Sequence, residues 1–413
     1  MLRLSNPASG LTQGPFSEHG TGIMITVTKT KAGKKAQPST TLVGEPQFPD
    51  INTIRNAIPK KCFESSALIG MAYLVRDLCM AVGLGYAAVT YIPTISDFYL
   101  RSFAWIVYGY VQGLICTGIW ILGHECGHGA FSKYQTFNDV VGWFAHSILC
   151  VPYFSWKFSH HRHHRFTGHM DKDMAFAPRT KADYLERILS KFDFLEDTPI
   201  YHIVCLFFHQ TMGWTFYLIF NISAGRNSMQ YKASLGRRSH FDPWSGVFRP
   251  SEAPYIIISD IGLGLTLYSL YRLSFFVGVQ NTVLLYAQTW FWVHHWLIAI
   301  TYLHHTDKDV PHYDAEHWTF VKGAVATVDR EFGFVGRHLF HGIIEYHVVH
   351  HLFPRIPFYY AEEATEAIKP VLGDLYHRDE RSFLGQLWDN FSNLKYVEPD
   401  EAVPGAMKWV TRA

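Results

Sequence analysis

The chain has 413 residues, enough for two or three soluble domains or for one large membrane domain. Its formal net charge is +1, which gives no indication of a nucleic-acid partner. Charged residues make up 17% and aromatic residues 16%, a balance typical of a protein that exposes much of its surface to lipid. The six cysteines show no paired spacing, so we expect free thiols and not a disulfide framework.

The first 45 residues are polar and lack the apolar core of a cleavable signal peptide. We expect residues 1–45 to form a disordered tail, within which Met24 is an alternative start. The remainder is predicted to be one membrane domain, 46–390, followed by a C-terminal tail, 391–413.

Four apolar runs are long enough to cross a bilayer as helices, namely 67–95, 100–122, 255–276 and 281–303. A fifth run covers 200–222. A shorter run, 139–153, cannot span the hydrocarbon layer at about 1.5 Å per residue. We expect this short run to be interfacial or half-buried.

The chain contains three histidine clusters, which read His124-Glu-Cys-Gly-His128, His160-His-Arg-His-His164 and His347-Val-Val-His-His351. Within each cluster the spacing of i to i+3 or i+4 puts the imidazoles on one face of a helix. Eight imidazoles are too many for one tetrahedral zinc ion, so two metal ions are predicted, of a kind that neutral imidazole binds: zinc, copper, iron or nickel. These eight candidate catalytic and metal-binding residues are His124, His128, His160, His163, His164, His347, His350 and His351.

One metal centre requires all three clusters on the same side of the membrane. The basic loops 152–199 and 223–254 both favour the cytosolic side, so 200–222 is expected to lie in the interface and return. The predicted fold is therefore an all-α integral membrane protein. Four transmembrane helices form two hairpins, 67–122 and 255–303, and a cytosolic helical cap carries the metal site. Both termini face the cytosol.

The residues alone also allow two different classes of protein, a membrane zinc protease and a membrane metal carrier. The first cluster matches the His-Glu-x-x-His signature of membrane zinc proteases, with Glu125 as the base, but that function leaves six further histidines unexplained. A membrane metal carrier would need its ligands inside the spans, whereas these clusters flank them.

The three histidine boxes and the sequence around them resemble the membrane fatty-acyl desaturase family, and within it the fungal and plant oleate Δ12 and ω3 desaturases. The similarity runs from about residue 45 to 390. Its other supporting stretches are 50–59 (DINTIRNAIP), 167–170 (TGHM), 301–307 (TYLHHTD), 326–330 (ATVDR) and 363–370 (EATEAIKP).

The resemblance implies an acyl-lipid desaturase that uses O2 to introduce a cis double bond, most simply converting oleoyl to linoleoyl groups in membrane lipid during unsaturated fatty acid biosynthesis. It implies two Fe2+ ions and a ninth ligand, His305. It also implies electrons from a separate cytochrome b5 with its NADH-dependent reductase, and a location in the endoplasmic reticulum membrane. His161 and His304 hold variable positions of the family pattern and are not expected to be ligands.

Several other residues near the boxes have open roles. The candidates to orient metal ligands are His169, His338, His341, Glu345, Asp307 and Asp329. His294 and His295 lie within a span and are expected to be structural. Tyr346 stands where the resemblance leads us to expect threonine. Δ12, ω3 and bifunctional desaturases, hydroxylases and acetylenases share every box, so the position and outcome of the oxidation stay open.

Overall fold

The computed structural model describes residues 47–186, 195–196, 198–232 and 234–412, so the predicted tail at 1–45 lies outside the described residues. Most described residues are helical. The α-helices are α1 (Ile51–Ala57), α2 (Ala67–Tyr91), α3 (Phe98–His128), α4 (Gln135–Ser147), α5 (Tyr153–Phe166), α6 (Lys181–Leu185), α7 (Pro199–Phe220), α8 (Ala253–Val277), α9 (Val279–His305), α10 (Phe320–Val325), α11 (His347–Leu352), α12 (Phe358–Leu372) and α13 (Phe383–Asn393). The strands are β1 (His312–Tyr313), β2 (Val328–Arg330), β3 (His377–Asp379), β4 (Leu394–Pro399) and β5 (Ala406–Thr411). The six cysteines are free, as expected.

Four helices in the described residues are long and apolar enough to cross a membrane: α2 extended to Thr94, α3, α7, and α8 with the preceding turn from Pro250. Three of them match predicted spans. The fourth predicted span, 281–303, corresponds to α9, which forms a continuous helix but does not meet the length and composition criterion that α7 meets, so its crossing of the membrane stays a prediction. Among the polar residues of α9, Gln288 is half-buried and His294 is buried against protein.

Helix α3 is the centre of the fold. Its most apolar stretch is 78% buried, against 17% for α2 and 28% for α7, so α3 is surrounded by protein along most of its length. Helices α2, α4 and α9 pack directly against it. The helix begins at Asp97, whose side chain accepts a hydrogen bond from the Leu100 amide (2.7 Å), and it ends at Gly129 in the left-handed conformation (φ 72°). The first histidine cluster therefore occupies the last two turns of the central helix.

Close approach between α3 and α9 depends on glycine. A Cβ atom at Gly113 would lie 2.2 Å from Cβ of Trp292, and one at Gly109 would lie 2.7 Å from Cβ of Gln288. Real side chains do not tolerate such contacts, so alanine at either position forces the two helices apart.

Gly113→Ala is expected to lower the free energy of unfolding by about 1–3 kcal/mol, because it over-packs the α3–α9 contact. Thermal unfolding of the purified protein, followed by tryptophan fluorescence, measures the effect. The matched control is Gly264→Ala in α8, where a Cβ meets nothing within 4 Å. Equal melting temperatures for the two variants would contradict the tight contact.

Two small sheets correct the all-α prediction. Strands β1, β5 and β4 form an antiparallel sheet in that order, with Met407 opposite His312 and Trp409 opposite Val397. Strands β2 and β3 pair in parallel. The segment 391–413, predicted to be a tail, thus supplies two strands joined by a turn in which Gly405 has φ 73°. These strands are six residues each, too short for their pattern to stand out from a polar C-terminal segment.

Candidate metal centre

The structure brings the histidines of all three clusters together at one end of α3. One group contains five imidazoles whose ring nitrogens lie within 4.8 Å of one another: His124, His128, His160, His164 and His350. A second group, with the same limit, contains His163, His305 and His351. His347 adjoins the second group, with its Nε2 atom 3.0 Å from Nε2 of His351 and 3.4 Å from Nε2 of His305. The groups border each other where the rings of His164 and His351 stack at 4.2 Å.

The separations of the nitrogens suit shared cations. Nε2 of His164 lies 3.0 Å from Nε2 of His160, and Nε2 of His163 lies 3.3 Å from Nε2 of His305. Two nitrogens that are each ~2.1 Å from one metal ion lie about 3.0–3.4 Å apart. Nε2 of His128 and Nε2 of His350 are buried, and neither has a hydrogen-bond partner among the residues that the structure describes. Metal coordination would satisfy these atoms, so the residues fit two metal ions.

The imidazoles are also in the protonation state that metals bind. Burial, with a further contribution from neighbouring imidazoles, lowers the pKa of the ring well below its ordinary value in His160, His164, His347, His350 and His351. At neutral pH these rings are uncharged, and each keeps a lone pair for coordination.

Asp173 orients one ligand candidate, and the sequence analysis missed it. The Nδ1 atom of His163 donates to Asp173 Oδ1 at 2.7 Å, and both side chains are buried. The same carboxylate accepts hydrogen bonds from the amides of Gly168 (3.2 Å), Ala175 (2.9 Å) and Phe176 (3.2 Å). A carboxylate that holds the second nitrogen of a ligating histidine fixes the ring and its tautomer. The sequence gives no sign that an acid ten residues after His163 contacts it, because the contact depends on the turn that brings Asp173 back to the His163 ring.

Asp173→Asn is expected to weaken metal binding about 10- to 100-fold, because the amide does not replace the charge that orients His163. Metal content after dialysis against increasing chelator measures the loss. Asp171→Asn is the control, since it removes a nearby half-buried carboxylate that, within the described part of the chain, makes no hydrogen bond to a metal-ligand candidate. Equal metal retention by both variants would show that Asp173 stabilises only the turn and does not contribute to metal binding.

Strand β2 holds two ligand-bearing segments at once. The carbonyl of Val328 accepts from His304 Nδ1 (2.6 Å), and the ring of His304 stacks on His347 at 4.0 Å. Asp329 accepts from the Val348 amide at 2.7 Å, at the start of α11. The fully buried guanidinium of Arg330 donates to the carbonyl of Leu303 at 2.9 Å.

Further contacts extend this attachment. Arg330 also donates to the Thr306 carbonyl (3.3 Å) and to the Asp307 carboxylate (3.1 Å), and Tyr376 donates to Asp329 (2.6 Å). The main chain on both sides of His305 is therefore tied to the segment that starts the third cluster. Asp307 and Asp329, two of the candidates to orient metal ligands, contact main chain, Arg330 and Tyr376 in place of imidazole.

The remaining candidates lie outside the two groups of imidazoles. His161 donates from Nε2 to the Gly127 carbonyl (2.8 Å), and neither it nor His304 belongs to a group. His341 pairs with Asp77 (2.8 Å), which also binds Arg76, so the polar pair inside α2 is neutralised. His338 is exposed.

Three further candidates have structural contacts. His169 accepts from the Asp171 amide (3.1 Å), and Glu345 accepts from the Phe332 amide (3.1 Å). The ring of His294 packs on Trp290 at 4.0 Å. Glu125, the base of the protease hypothesis, is buried and accepts from the Phe358 amide at the start of α12 (3.1 Å). This contact gives Glu125 a structural use.

Two openings flank the histidine groups. An apolar cavity of about 160 Å3 lies on the side of the second group, and its wall includes His163, His305 and His351. The rest of that wall is largely aromatic, with Trp120, Trp156, Phe176, Trp214, Tyr217 and Tyr302. On the other side, a crevice of about 740 Å3 reaches His128 and His164.

Two buried imidazole groups that could bind metal lie beside an apolar cavity, in a chain with helices long enough to span a bilayer, which is the arrangement expected of a histidine-rich membrane enzyme. A family model described as fatty acid desaturase matches residues 102–381. An oleate hydroxylase of Claviceps purpurea is 44% identical and covers 88% of this chain and 80% of its own length. An endoplasmic reticulum omega-6 fatty acid desaturase of Glycine max is 41% identical (85% and 87% covered), and a Δ12 fatty acid desaturase of Mortierella isabellina is 39% identical (90% and 94%). The chain belongs to the fatty acid desaturase family.

The predicted family is thereby confirmed, and with it an oxidoreductase that acts on fatty-acyl lipid. The membership favours this class over the zinc protease and the metal carrier, which the histidine spacing alone left open. The buried cluster is the part of the chain that could bind the metal.

Proposed function

We propose that this protein introduces a cis double bond at the Δ12 position of oleoyl groups in membrane lipid, using O2 and two iron ions. The observation that carries the proposal is the apolar cavity whose wall contains histidines of both groups, among them His160 and His163. A cavity with aromatic walls accepts a hydrocarbon chain and excludes water, and the imidazoles in its wall bring the metal ions next to a methylene group.

The nine proposed ligands are His124, His128, His160, His163, His164, His305, His347, His350 and His351. Bound iron supplies O2 activation and the removal of hydrogen from an unactivated C–H bond, which no protein side chain performs. By burial, the chain lowers the pKa of His160, His164, His347, His350 and His351 and so keeps these rings neutral. It also fixes His163 through Asp173 and anchors the main chain at His305 through Arg330. The tryptophans and tyrosines of the cavity keep the methylene groups away from water.

The proposed orientation follows from charge. The basic loops 152–199 and 223–254 favour the cytosolic side, which puts the metal centre there, between the helical hairpins α2–α3 and α8–α9. Because α7 packs against α9 and contributes Trp214 and Tyr217 to the cavity, it lies beside the acyl chain whether or not it crosses. Relatives described as endoplasmic reticulum enzymes support that membrane as the location. Cytochrome b5 and its NADH-dependent reductase are the proposed electron source.

Hydroxylation of the same oleoyl group is the second candidate, because a relative described as an oleate hydroxylase is 44% identical. Expression in a yeast that makes oleate but no linoleate, followed by fatty-acid analysis, separates the candidates. Linoleate is the expected product. If ricinoleate is the only new product, the enzyme is a hydroxylase and not a desaturase. If the only new product is α-linolenate, and it forms only when linoleate is supplied, the enzyme is an ω3 and not a Δ12 desaturase.

Tyr346→Thr is expected to change the product profile in that assay. Tyr346 and His350 both line a small cavity of about 20 Å3, room for about one water molecule. Threonine enlarges this space beside a proposed iron ligand, which we expect to shift the ratio of hydroxylated to unsaturated product. Tyr134→Thr, at an exposed tyrosine, is the control. An unchanged ratio on oleate and on linoleate would refute the influence of Tyr346.

A further inference from the structure

The metal centre separates two spaces of opposite character. The apolar cavity touches His160, His163 and the histidines at the ends of α9 and α11, whereas the crevice touches His128 and His164. A hydrocarbon chain gains free energy only in the first space, because its surface there leaves water. The crevice is therefore available for another reactant, on the face of the centre turned away from the acyl chain.

The floor of the crevice leads directly to the metal site. His161 is exposed to solvent and lines the crevice, and its ring centroid lies 5.6 Å from that of His128. The hydrogen bond from His161 Nε2 to the Gly127 carbonyl fixes this ring at the last turn of α3. Through His128, the first group of imidazoles approaches a surface that a large molecule can touch.

The rim of the crevice is basic. Arg55 and Arg355 are exposed, and within the described part of the chain neither has a carboxylate partner. The Arg55 guanidinium lies 4.5 Å above the Phe63 ring, which holds it at the rim. Lys157 also lines the crevice but pairs with Asp139. No carboxylate is present among the residues that line the crevice.

We propose that this basic crevice is the docking surface for an acidic one-electron carrier protein, which delivers electrons to the metal centre past His161. The inference rests on the proposed function and adds where its reductant binds. Unpaired arginines around an exposed edge of a redox site steer an acidic partner and give a brief encounter complex, as electron-transfer pairs require.

The electron balance sets the number of encounters. For each double bond, two carriers are each oxidised by one electron, and O2 is reduced to two waters. The hydrogens of those waters are two from the acyl chain and two protons from solvent. The carrier must dock twice per turnover while the acyl chain stays in place, which separate openings permit.

The experiment uses the full-length protein in nanodiscs, loaded with iron and oxidised to the ferric state, so that each Fe3+ accepts one electron from one carrier. The probe is the soluble domain of reduced cytochrome b5. Anaerobic stopped-flow mixing records oxidation of the carrier as a function of ionic strength. The double variant Arg55→Glu/Arg355→Glu is expected to lower the bimolecular rate constant at least about 10-fold at low salt and to remove most of its salt dependence. Binding of the oxidised carrier, followed by fluorescence anisotropy, is expected to weaken in parallel.

Two controls isolate the charge at the rim. Arg55→Lys/Arg355→Lys preserves both charges and is expected to react within about twofold of the wild type. Lys308→Glu reverses an exposed charge that lines a different pocket and is expected to have no effect. If the double reversal reacts at the wild-type rate, or if Lys308→Glu is equally slow, the proposal is overturned.

An alternative occupant of a basic crevice is an anionic lipid headgroup. Should the double reversal reduce binding to vesicles that contain phosphatidylserine and leave carrier oxidation unchanged, the crevice would be a lipid site and the proposal would be overturned. The carrier assay does not depend on the acyl product. A chain that oxidises the carrier at the crevice but makes no linoleate in yeast would therefore contradict the proposed function and not the docking surface.

Discussion

His350→Ala is expected to abolish product formation, a decrease of more than about 100-fold, and to reduce bound iron. His350 belongs to the group of five imidazoles, and its ring lies 4.7 Å from those of His124 and His164. In the described part of the chain, its Nε2 atom has no hydrogen-bond partner. Losing a ligand costs more than the 10- to 100-fold in metal affinity or activity that follows from losing a residue which only orients one. Fatty-acid profiles in yeast and iron analysis of the purified protein measure the two effects.

The control for this substitution is His338→Ala, since His338 is exposed and lies outside both groups. It should retain full product and about two irons per chain. A His350→Ala protein that still makes product would refute the two-iron centre. Zinc in place of iron in the active wild type would refute the proposed chemistry.

Arg330→Met is expected to destabilise the fold by about 3–5 kcal/mol, because it removes the fully buried cation of a largely buried ion pair and leaves the Asp307 carboxylate without its partner. It also releases the carbonyls of Leu303 and Thr306, which lie on either side of His305 in the chain. We therefore expect iron to be lost preferentially from the second group. Thermal unfolding and the iron-to-protein ratio are the measurements.

Arg378→Met is the matched control in the neighbouring strand. Its guanidinium pairs with Glu331 and Glu380 at a position that is 20% exposed, and partly exposed ion pairs contribute at most about 1 kcal/mol. If Arg330→Met kept both its melting temperature and its full complement of iron, β2 would be an ordinary strand with no part in holding the centre.

The histidine pairs could be identified from the sequence because a helix repeats its face every three to four residues. His160, His163 and His164 needed only that rule to be placed on one side of α5. Their number predicted two metal ions, in keeping with the two groups of imidazoles found. The assignment of nine ligands stays a prediction, and among the nine, His347 lies just outside the group defined by mutual nitrogen distance.

The residues that support the histidines could not be identified in the same way. Asp173 acts through a turn, and Arg330 through a strand of three residues, so neither stands in a repeating pattern relative to its partner. The difference between the predicted spans and the helices that meet the length and composition criterion has a related cause. Hydropathy reports only the composition of a helix. Helix α9 can carry polar side chains because it packs against α3, α7 and α8, and this packing cannot be read from the sequence of α9 alone.

The C-terminal strand has a practical consequence for protein engineering. β5 is the middle strand of its sheet, and its partner β1 begins seven residues after His305. Tyr313 of β1 donates to the Gly168 carbonyl (2.8 Å) and accepts from the Met170 amide (3.0 Å), in the turn that leads to Asp173. Truncation of the last residues is therefore expected to loosen the turn that carries Asp173, although this turn lies far away in the chain. Chimaeras between relatives should exchange β1, β4 and β5 as one unit.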